Sequence, residues 1–360
     1  MTRTHTATRT HTVAFIPGDG IGIEVSAATR RVLAALEAKC GDFHLDIAEK
    51  DYGSLRYLRT GAYAPKGWLE DLQQYEAIFF GAVGHPDIED HISLWQLILP
   101  IRQAFQQYVN VRPCRQIEGV QSVVAASSHV DWVILRENTE GEYAGQGGRT
   151  HVGTPHEVAT EVAVFTRVGV ERFLRYAFSV AAQRERKQLT LVTKSNAQRF
   201  GLVLWDEVAA AVAKDFPEVH WDKMLVDAMT VRMACKPHTL DTIVATNLHG
   251  DILSDLAAGL CGSIGLAPSS SLNPSRERPS LFEPVHGAAF DIMGQDIANP
   301  VAALWSACEM LKWLGEEDAA VRLDAAIHES IRRGITTADL GGTCKTSEVT
   351  EEICSLLSDA

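Results

Sequence analysis

The stretch Thr12-Val13-Ala14-Phe15-Ile16-Pro17-Gly18-Asp19-Gly20-Ile21-Gly22 decides the fold. Its first six residues form an apolar run bounded by Pro and Gly, which reads as a buried strand. The glycines then turn the chain into a helical pattern, with Val25, Ala28, Val32 and Leu36 at helical spacing through about Lys39. Strand, tight turn and helix open a βαβ unit. The same turn invites a dinucleotide fingerprint, Gly-x-Gly-x-x-Gly, but position 23 is Ile23 where the third glycine should stand. On its own the turn reads better as a tight strand-to-helix connection than as a phosphate cradle.

Alternation continues outward from this stretch. An amphipathic segment lies near Trp68 to Leu72, a strand at Ala77 to Phe80, a helix across Ser93 to Gln107, and strands at Val109 to Val111 and Trp132 to Leu135. Gly145 to His156 (GQGGRTHVGTPH) has no helical period and reads as a protruding hairpin or arm, after which Glu161 to Thr166 resumes a β-like pattern. Helices at Val168 to Gln183 and Leu202 to Lys214, with strands at Leu189 to Val192 and Thr242 to Ala245, lead into Gly250-Asp251-Ile252-Leu253-Ser254-Asp255. The Pro- and Ser-rich Ala267 to Pro279 reads as a surface loop, and the last third is mostly helical. Strands alternating with helices predict an α/β protein.

The 360 residues suit roughly two domains at about 150 residues each. With 46% apolar and 22% charged residues the composition is that of a folded globular chain. A net charge of −13 repels nucleic acid and anionic membranes, so neither is an expected partner, and an anionic ligand must meet clustered arginines. Seven scattered cysteines with no Cys-x-x-Cys pair argue against a zinc knuckle or disulfide framework and point to a reducing cytosol. Met1 to Thr12 has no apolar core and reads as a short frayed tail.

Several side chains carry chemistry. Asp251 and Asp255 are four apart at an expected helix start, where their like charges repel by roughly 0.2–0.5 kcal/mol unless a cation lies between them. A hard divalent cation would reverse that sign, although helix-dipole compensation explains Asp251 equally well. Arg102, Arg112 and Arg136 each sit in or beside an apolar element. Any one reads as a structural salt bridge, for instance to Glu137, whereas three together favour capture of a small polyanion. Lys194 follows a buried strand and is a candidate base; Tyr143 and His286 are unremarkable one by one.

Taken in order, Ile16-Pro17-Gly18-Asp19-Gly20-Ile21-Gly22, the Arg102 and Arg112 segment, Arg136-Glu137-Asn138-Thr139-Glu140-Gly141, Thr193-Lys194-Ser195-Asn196, Gly250 to Asp255, and Glu283-Pro284-Val285-His286-Gly287 resemble the β-decarboxylating dehydrogenases of the isopropylmalate and isocitrate dehydrogenase family. The likeness covers nearly the whole chain. Asp90-His91-Ile92-Ser93-Leu94-Trp95 and Phe79-Phe80-Gly81-Ala82-Val83-Gly84 resemble its tartrate/D-malate dehydrogenase branch.

This resemblance implies a non-Rossmann α/β fold of two domains. A discontinuous large domain, residues 1–107 and 261–360, would bind the cofactor, and a central domain, residues 108–260, would carry an arm at about 145–161 that clasps a second subunit. It implies a homodimer with shared sites, in which Lys194 and Asp227 reach into the neighbour's. Arg102, Arg112, Arg136 and Ser93 would hold the substrate, and Asp227, Asp251 and Asp255 magnesium or manganese. Asn196, Glu283, His286, Gly287, Asp291 and Asn299 would bind NAD, with a monovalent cation such as potassium as a further cofactor. Lys194 would be the base in oxidation and Tyr143 the acid that protonates the enolate after carbon dioxide leaves. The implied activity is oxidation of D-malate, tartrate or a close relative. An isopropylmalate dehydrogenase is the alternative, needing an apolar pocket near Leu94 to Leu97 where Trp95 and Gln96 fit poorly. A binding subunit that had lost the chemistry would show erosion at Lys194, Tyr143 or the aspartates, and none is eroded. The sequence departs from the family at His249, usually phenylalanine, and at Phe290 and Gln295, usually proline and lysine.

Overall fold

The computed structural model describes residues 8–124 and 130–359. In chain order the elements are β1 (Arg9–Gly18), α1 (Ile21–Cys40), β2 (Phe43–Glu49), α2 (Ser54–Thr60), α3 (Trp68–Leu72), β3 (Ala77–Ala82), α4 (Asp90–Ser93), a π-helical turn (Leu94–Ile98), α5 (Leu99–Ala104), β4 (Val109–Arg115), β5 (Asp131–Glu137), β6 (Gly141–Thr150) and β7 (Val158–Val164). There follow α6 (Arg167–Gln183), β8 (Gln188–Thr193), α7 (Gly201–Val212), β9 (His220–Leu225), α8 (Val226–Cys235), β10 (Thr242–Ala245), α9 (Asn247–Cys261), β11 (Pro268–Leu272), β12 (Ser280–Pro284), α10 (Val301–Leu314), α11 (Glu317–Arg332) and α12 (Thr346–Asp359). None of these helices is long and apolar enough to cross a membrane.

The chain divides into two compact units. The first comprises the described residues up to Phe105, Ile117–Val123 and those from Gly262 on; the second comprises those of Gln106–Gln116 and Val124–Cys261. In the first, the strand order is β2-β1-β3-β12-β11, parallel except for the β11–β12 pair. Ala14, Ile16, Ile78, Phe80 and Leu281 from these strands pack with Leu97, Ile98, Ile101 and Phe105. A fully buried Leu, Ile or Phe contributes about 1.5–3 kcal/mol, which is why an apolar run such as Val13 to Ile16 settles as a central strand.

The second unit orders its strands β4-β5-β10-β8-β9, with β4 antiparallel to β5 and the rest parallel. Trp132, Ile134, Ile243 and Val192 pack against Leu253, Ala257 and Leu260 of α9, which fixes that helix along the strands that carry Arg112, midway along β4, and Arg136, near the end of β5. Strands β6 and β7 form a separate antiparallel hairpin with Val158 and Val162 about half exposed.

Two expectations are corrected. The Ser-rich Pro268 to Leu272 is a fully buried strand, not part of a surface loop, because Ser269, Ser270 and Ser271 pair with Glu283, Phe282 and Leu281 and their small side chains fit between packed layers. Composition cannot distinguish serines that satisfy a buried ladder from serines in a turn. The expected tail of Met1 to Thr12 is also corrected at its end. Arg9 to Thr12 belong to β1, where Arg9 pairs with Glu316 and Asp42 and His11 lies between Glu76 and Glu316; the earlier part of that segment, residues 1–7, falls outside the described residues.

Candidate active site

Helix α9 begins at Asn247, four residues before Asp251, so Asp251 and Asp255 lie within the helix instead of at its start. Asn247, Asp251, Ser254 and Asp255 then share one face, since residues three or four apart are neighbours on a helix. That face meets Arg112 of β4 and Arg136 of β5. Arg136 Nε donates to Asn247 Oδ1 at 2.9 Å and its Nη1 to Asp251 Oδ1. Arg112 Nη1 donates to Ser254 Oγ at 2.6 Å and lies 3.3 Å from Asp251 and 3.4 Å from Asp255, while its Nε is fixed by Asn110. Both guanidinium groups are buried, at 7% and 2% exposure, so neither is an ordinary surface cation. Glu137, weighed as a partner of Arg136, instead accepts from Thr139 and Glu140.

Tyr143, just inside β6, reaches the same helix face. Its hydroxyl donates to Asp251 Oδ2 at 3.2 Å, and its ring lies under the Arg136 guanidinium. Partial burial raises the Asp255 carboxyl above the usual carboxylate range, Arg112 opposes that rise and Asp251 adds to it. A divalent cation would relieve this pair of like charges further than Arg112 and Arg136 do.

Lys194 and Asp227 form their own pair, with Lys194 Nζ donating to Asp227 Oδ1 at 2.5 Å. The lysine bond holds the exposed Asp227 carboxyl below its ordinary range. Among the described residues no three His, Cys, Asp or Glu side chains gather to hold a metal, so one chain brings Asp251 and Asp255 together but leaves Asp227 elsewhere. The two assembled donors are hard carboxylate oxygens of the kind that suit magnesium or manganese. His249 is buried, which pushes its imidazole toward the neutral form, and its Nδ1 has no hydrogen-bond partner.

In the first unit the glycine turn proves to be a packing device. A Cβ on Gly18 would lie 1.8 Å from the Ala82 carbonyl oxygen, and one on Gly20 would lie 1.9 Å from that of Ala288; both residues have positive φ. The Ile21 amide at the start of α1 already donates to Ala288 O, and Asp19 is occupied by Ser54 and Gly84. This amide and carboxylate therefore serve the turn. The loop after β12 is richer in acceptors. His286 is buried, which depresses its pKa, and its Nε2 is unpartnered while Nδ1 faces Gly287 O. Asn299 caps α10 through Val301 and donates to Asp339, and Asp291 is exposed. An unfilled buried imidazole nitrogen, in the loop that also carries the exposed Asp291, fits the hydroxyls and amides of a nucleotide. Arg102 pairs with Glu283 at 3.1 Å, and Ser93 is buried immediately before the π-helical turn that precedes α5.

Residues 12–353 match the family model described as isocitrate/isopropylmalate dehydrogenase. The chain belongs to this family. A probable tartrate dehydrogenase/decarboxylase of Agrobacterium vitis is 57% identical over 97% of this chain and 98% of its own. The D-malate dehydrogenase [decarboxylating] of Escherichia coli is 46% identical over 97% and 99%. The isocitrate dehydrogenase of Methylococcus capsulatus superposes with a TM-score of 0.86 at 36% identity, covering 96% of this chain and 99% of that one. Within this dehydrogenase family's fold, the geometry adds Asn247, Ser254 and Asn110 to the residues anticipated from sequence. The i, i+4, i+7 and i+8 spacing of Asn247, Asp251, Ser254 and Asp255 was the available signal for the first two; Asn110 carried none beyond lying two residues before Arg112.

Proposed function

We infer that this enzyme catalyses the NAD- and divalent-metal-dependent oxidative decarboxylation of a 2-hydroxy dicarboxylic acid, D-malate to pyruvate and carbon dioxide or the equivalent oxidation of tartrate. The observation that carries the reading is the meeting of two buried arginines, two carboxylates and one phenol on a single face of α9. The names of the tartrate and D-malate relatives support the substrate class. When bound, NAD accepts the hydride and the cation withdraws electrons from the substrate oxygen.

The chain's residues do the rest. Arg112 and Arg136 hold the two carboxylates and set the 2-hydroxyl in place. Lys194 takes the hydroxyl proton as the 2-carbon gives up hydride. Carbon dioxide then departs from the β-carbon, leaving the electron pair as an enolate, and Tyr143 returns a proton to that carbon. Asp251 and Asp255 hold the cation together with Asp227 of a second subunit, and the exposure of Asp227, with the part-buried Lys194 on its carboxylate, supports their service to that subunit's site. The second unit thus takes substrate, metal and, through the β6–β7 hairpin, dimer contact, and the first takes the cofactor through Glu283, His286, Gly287, Asp291 and Asn299. Against an isopropylmalate specificity, Leu97 and Ile98 are buried in the core and the residues left outward are Trp95 and Gln96. A panel of D-malate, tartrate and 3-isopropylmalate, followed at the reduced-nicotinamide absorbance with manganese, tests the assignment. No turnover with any 2-hydroxy dicarboxylate would overturn it.

A further inference from the structure

Arg112 and Cys114 lie two residues apart on β4, and Ser254 and Cys261 lie two helical turns apart on α9. The first residue of each pair meets at the site, Arg112 on Ser254. The second members meet too: Cys114 Sγ stands 3.2 Å from Cys261 Sγ and 3.4 Å from Ala257 O. Both thiols are free, Cys261 is buried, and Cys114 keeps part of its surface exposed. We propose that Cys114 and Cys261 are a modification site, oxidised by hydroperoxide to a reversible intrachain disulfide that slows the enzyme by shifting α9 against β4.

The sulfurs are nearly in place. A disulfide needs about 2.05 Å between them, so closure requires roughly 1 Å of approach. The shared hydrogen bond holds Cys114 protonated and, as its donor, favours the thiolate at Cys261. That thiolate attacks one oxygen of hydrogen peroxide, breaks the O–O bond and becomes a sulfenic acid, with the other oxygen leaving as hydroxide. Cys114 sulfur then attacks the sulfenic sulfur and expels its oxygen. With the thiol protons the sum is two thiols and one peroxide giving one disulfide and two waters. Asp251, Ser254 and Asp255 ride on α9 and Arg112 on β4, so the approach is felt where the site is assembled. A displacement of about 1 Å at a positioned group can cost on the order of 100-fold in rate.

The inference rests on the proposed activity only for its kinetic readout. The holoenzyme is exposed to a small excess of hydrogen peroxide, quenched with catalase, and divided between unreduced peptide mapping and D-malate turnover. Expected are a linked Cys114–Cys261 peptide, a fall in kcat/KM of about tenfold or more, and recovery with dithiothreitol. Cys114→Ser and Cys261→Ser should each keep their activity after the same treatment. No linked peptide, a linked peptide with unchanged turnover, or equal loss in both variants would overturn the proposal. If the protein turns over no 2-hydroxy dicarboxylate at all, the peptide map still decides whether the disulfide forms.

Discussion

Tyr143 Oη lies 3.2 Å from Asp251 Oδ2, and the other oxygen of the same carboxylate is held by Arg136. One aspartate therefore joins the proposed proton donor to the arginine proposed to hold substrate. Carboxylates given over to a divalent cation would release both partners, the arginine to the dicarboxylate and the phenol to the reacting carbon. Cation and substrate should consequently help each other bind, and by linkage the help is reciprocal. Chelation should abolish turnover, manganese or magnesium should restore it, and KM for D-malate should fall as manganese rises. Asp251→Asn should weaken metal affinity as well as rate. Full activity after exhaustive chelation would contradict this account.

Lys194 and Tyr143 stand on different elements with different partners, Asp227 and Asp251 respectively. Their roles should separate on substitution. Tyr143→Phe is expected to pass hydride yet fail to protonate the enolate, whereas Lys194→Met should lose hydride transfer, each by about 10²–10⁴-fold in the affected step. Single-turnover absorbance alongside carbon dioxide and pyruvate assays distinguishes them, and equal loss of both partial reactions in both variants would refute the division.

Gly18→Ala and Gly20→Ala should fail for reasons of packing. Each forces a Cβ into a carbonyl oxygen less than 2 Å away at a positive φ. A loss of about 2–4 kcal/mol is expected from the strain and overpacking together. Calorimetry should show it with or without NAD, and KM for NAD in the surviving folded fraction should change little. A normal melting temperature with weakened NAD binding would instead return the turn to a phosphate-binding role.

His286 links stability to pH. Burial lowers its folded-state pKa below the ordinary 6.5, so between those two values the unfolded chain binds more protons than the native one. Its contribution is complete above 6.5 and is lost as pH falls toward the folded value. The melting temperature should therefore decline on acidification below about 6.5, and His286→Gln should flatten that decline. An unchanged slope in the variant would remove His286 as its source.

Much of this was readable from sequence because short-range patterns carried it. The run Val13 to Ile16 could only be a buried strand, and Asp251 and Asp255 announced a shared helix face. What stayed hidden depended on contacts between distant segments. The buried strand at Ser269 to Ser271 needs β12 to satisfy it, and although Ile23 in place of a third glycine already makes Gly18 and Gly20 read as a tight turn, the carbonyls of Ala82 and Ala288 that demand them lie far along the chain. The meeting of Cys114 and Cys261, 147 residues apart, likewise has no local signal.

On the proposed reading, cofactor choice should turn on Asp291, the exposed carboxylate in the loop after His286 and Gly287. At an adenosine ribose, a carboxylate accepts hydrogen bonds from the free hydroxyls of NAD, whereas NADP would set a phosphate of nearly two negative charges against it. No Lys or Arg occurs between His286 and Asn299 to offset that repulsion, and the net charge of −13 gives no general attraction. Gln295, whose amide donates to the Asp291 carbonyl, stands where the family usually has a lysine, so the loop lacks that cation as well. The repulsion should cost NADP a few kcal/mol, each 1.4 kcal/mol being about tenfold in affinity. Comparing kcat/KM for the two cofactors should show NAD preferred by at least about 100-fold, and Asp291→Ala should narrow the ratio chiefly by improving NADP. If Asp291 only shapes the turn, the variant will lose stability and leave the ratio where it was; equal use of both cofactors by the unaltered enzyme would remove Asp291 from the ribose altogether.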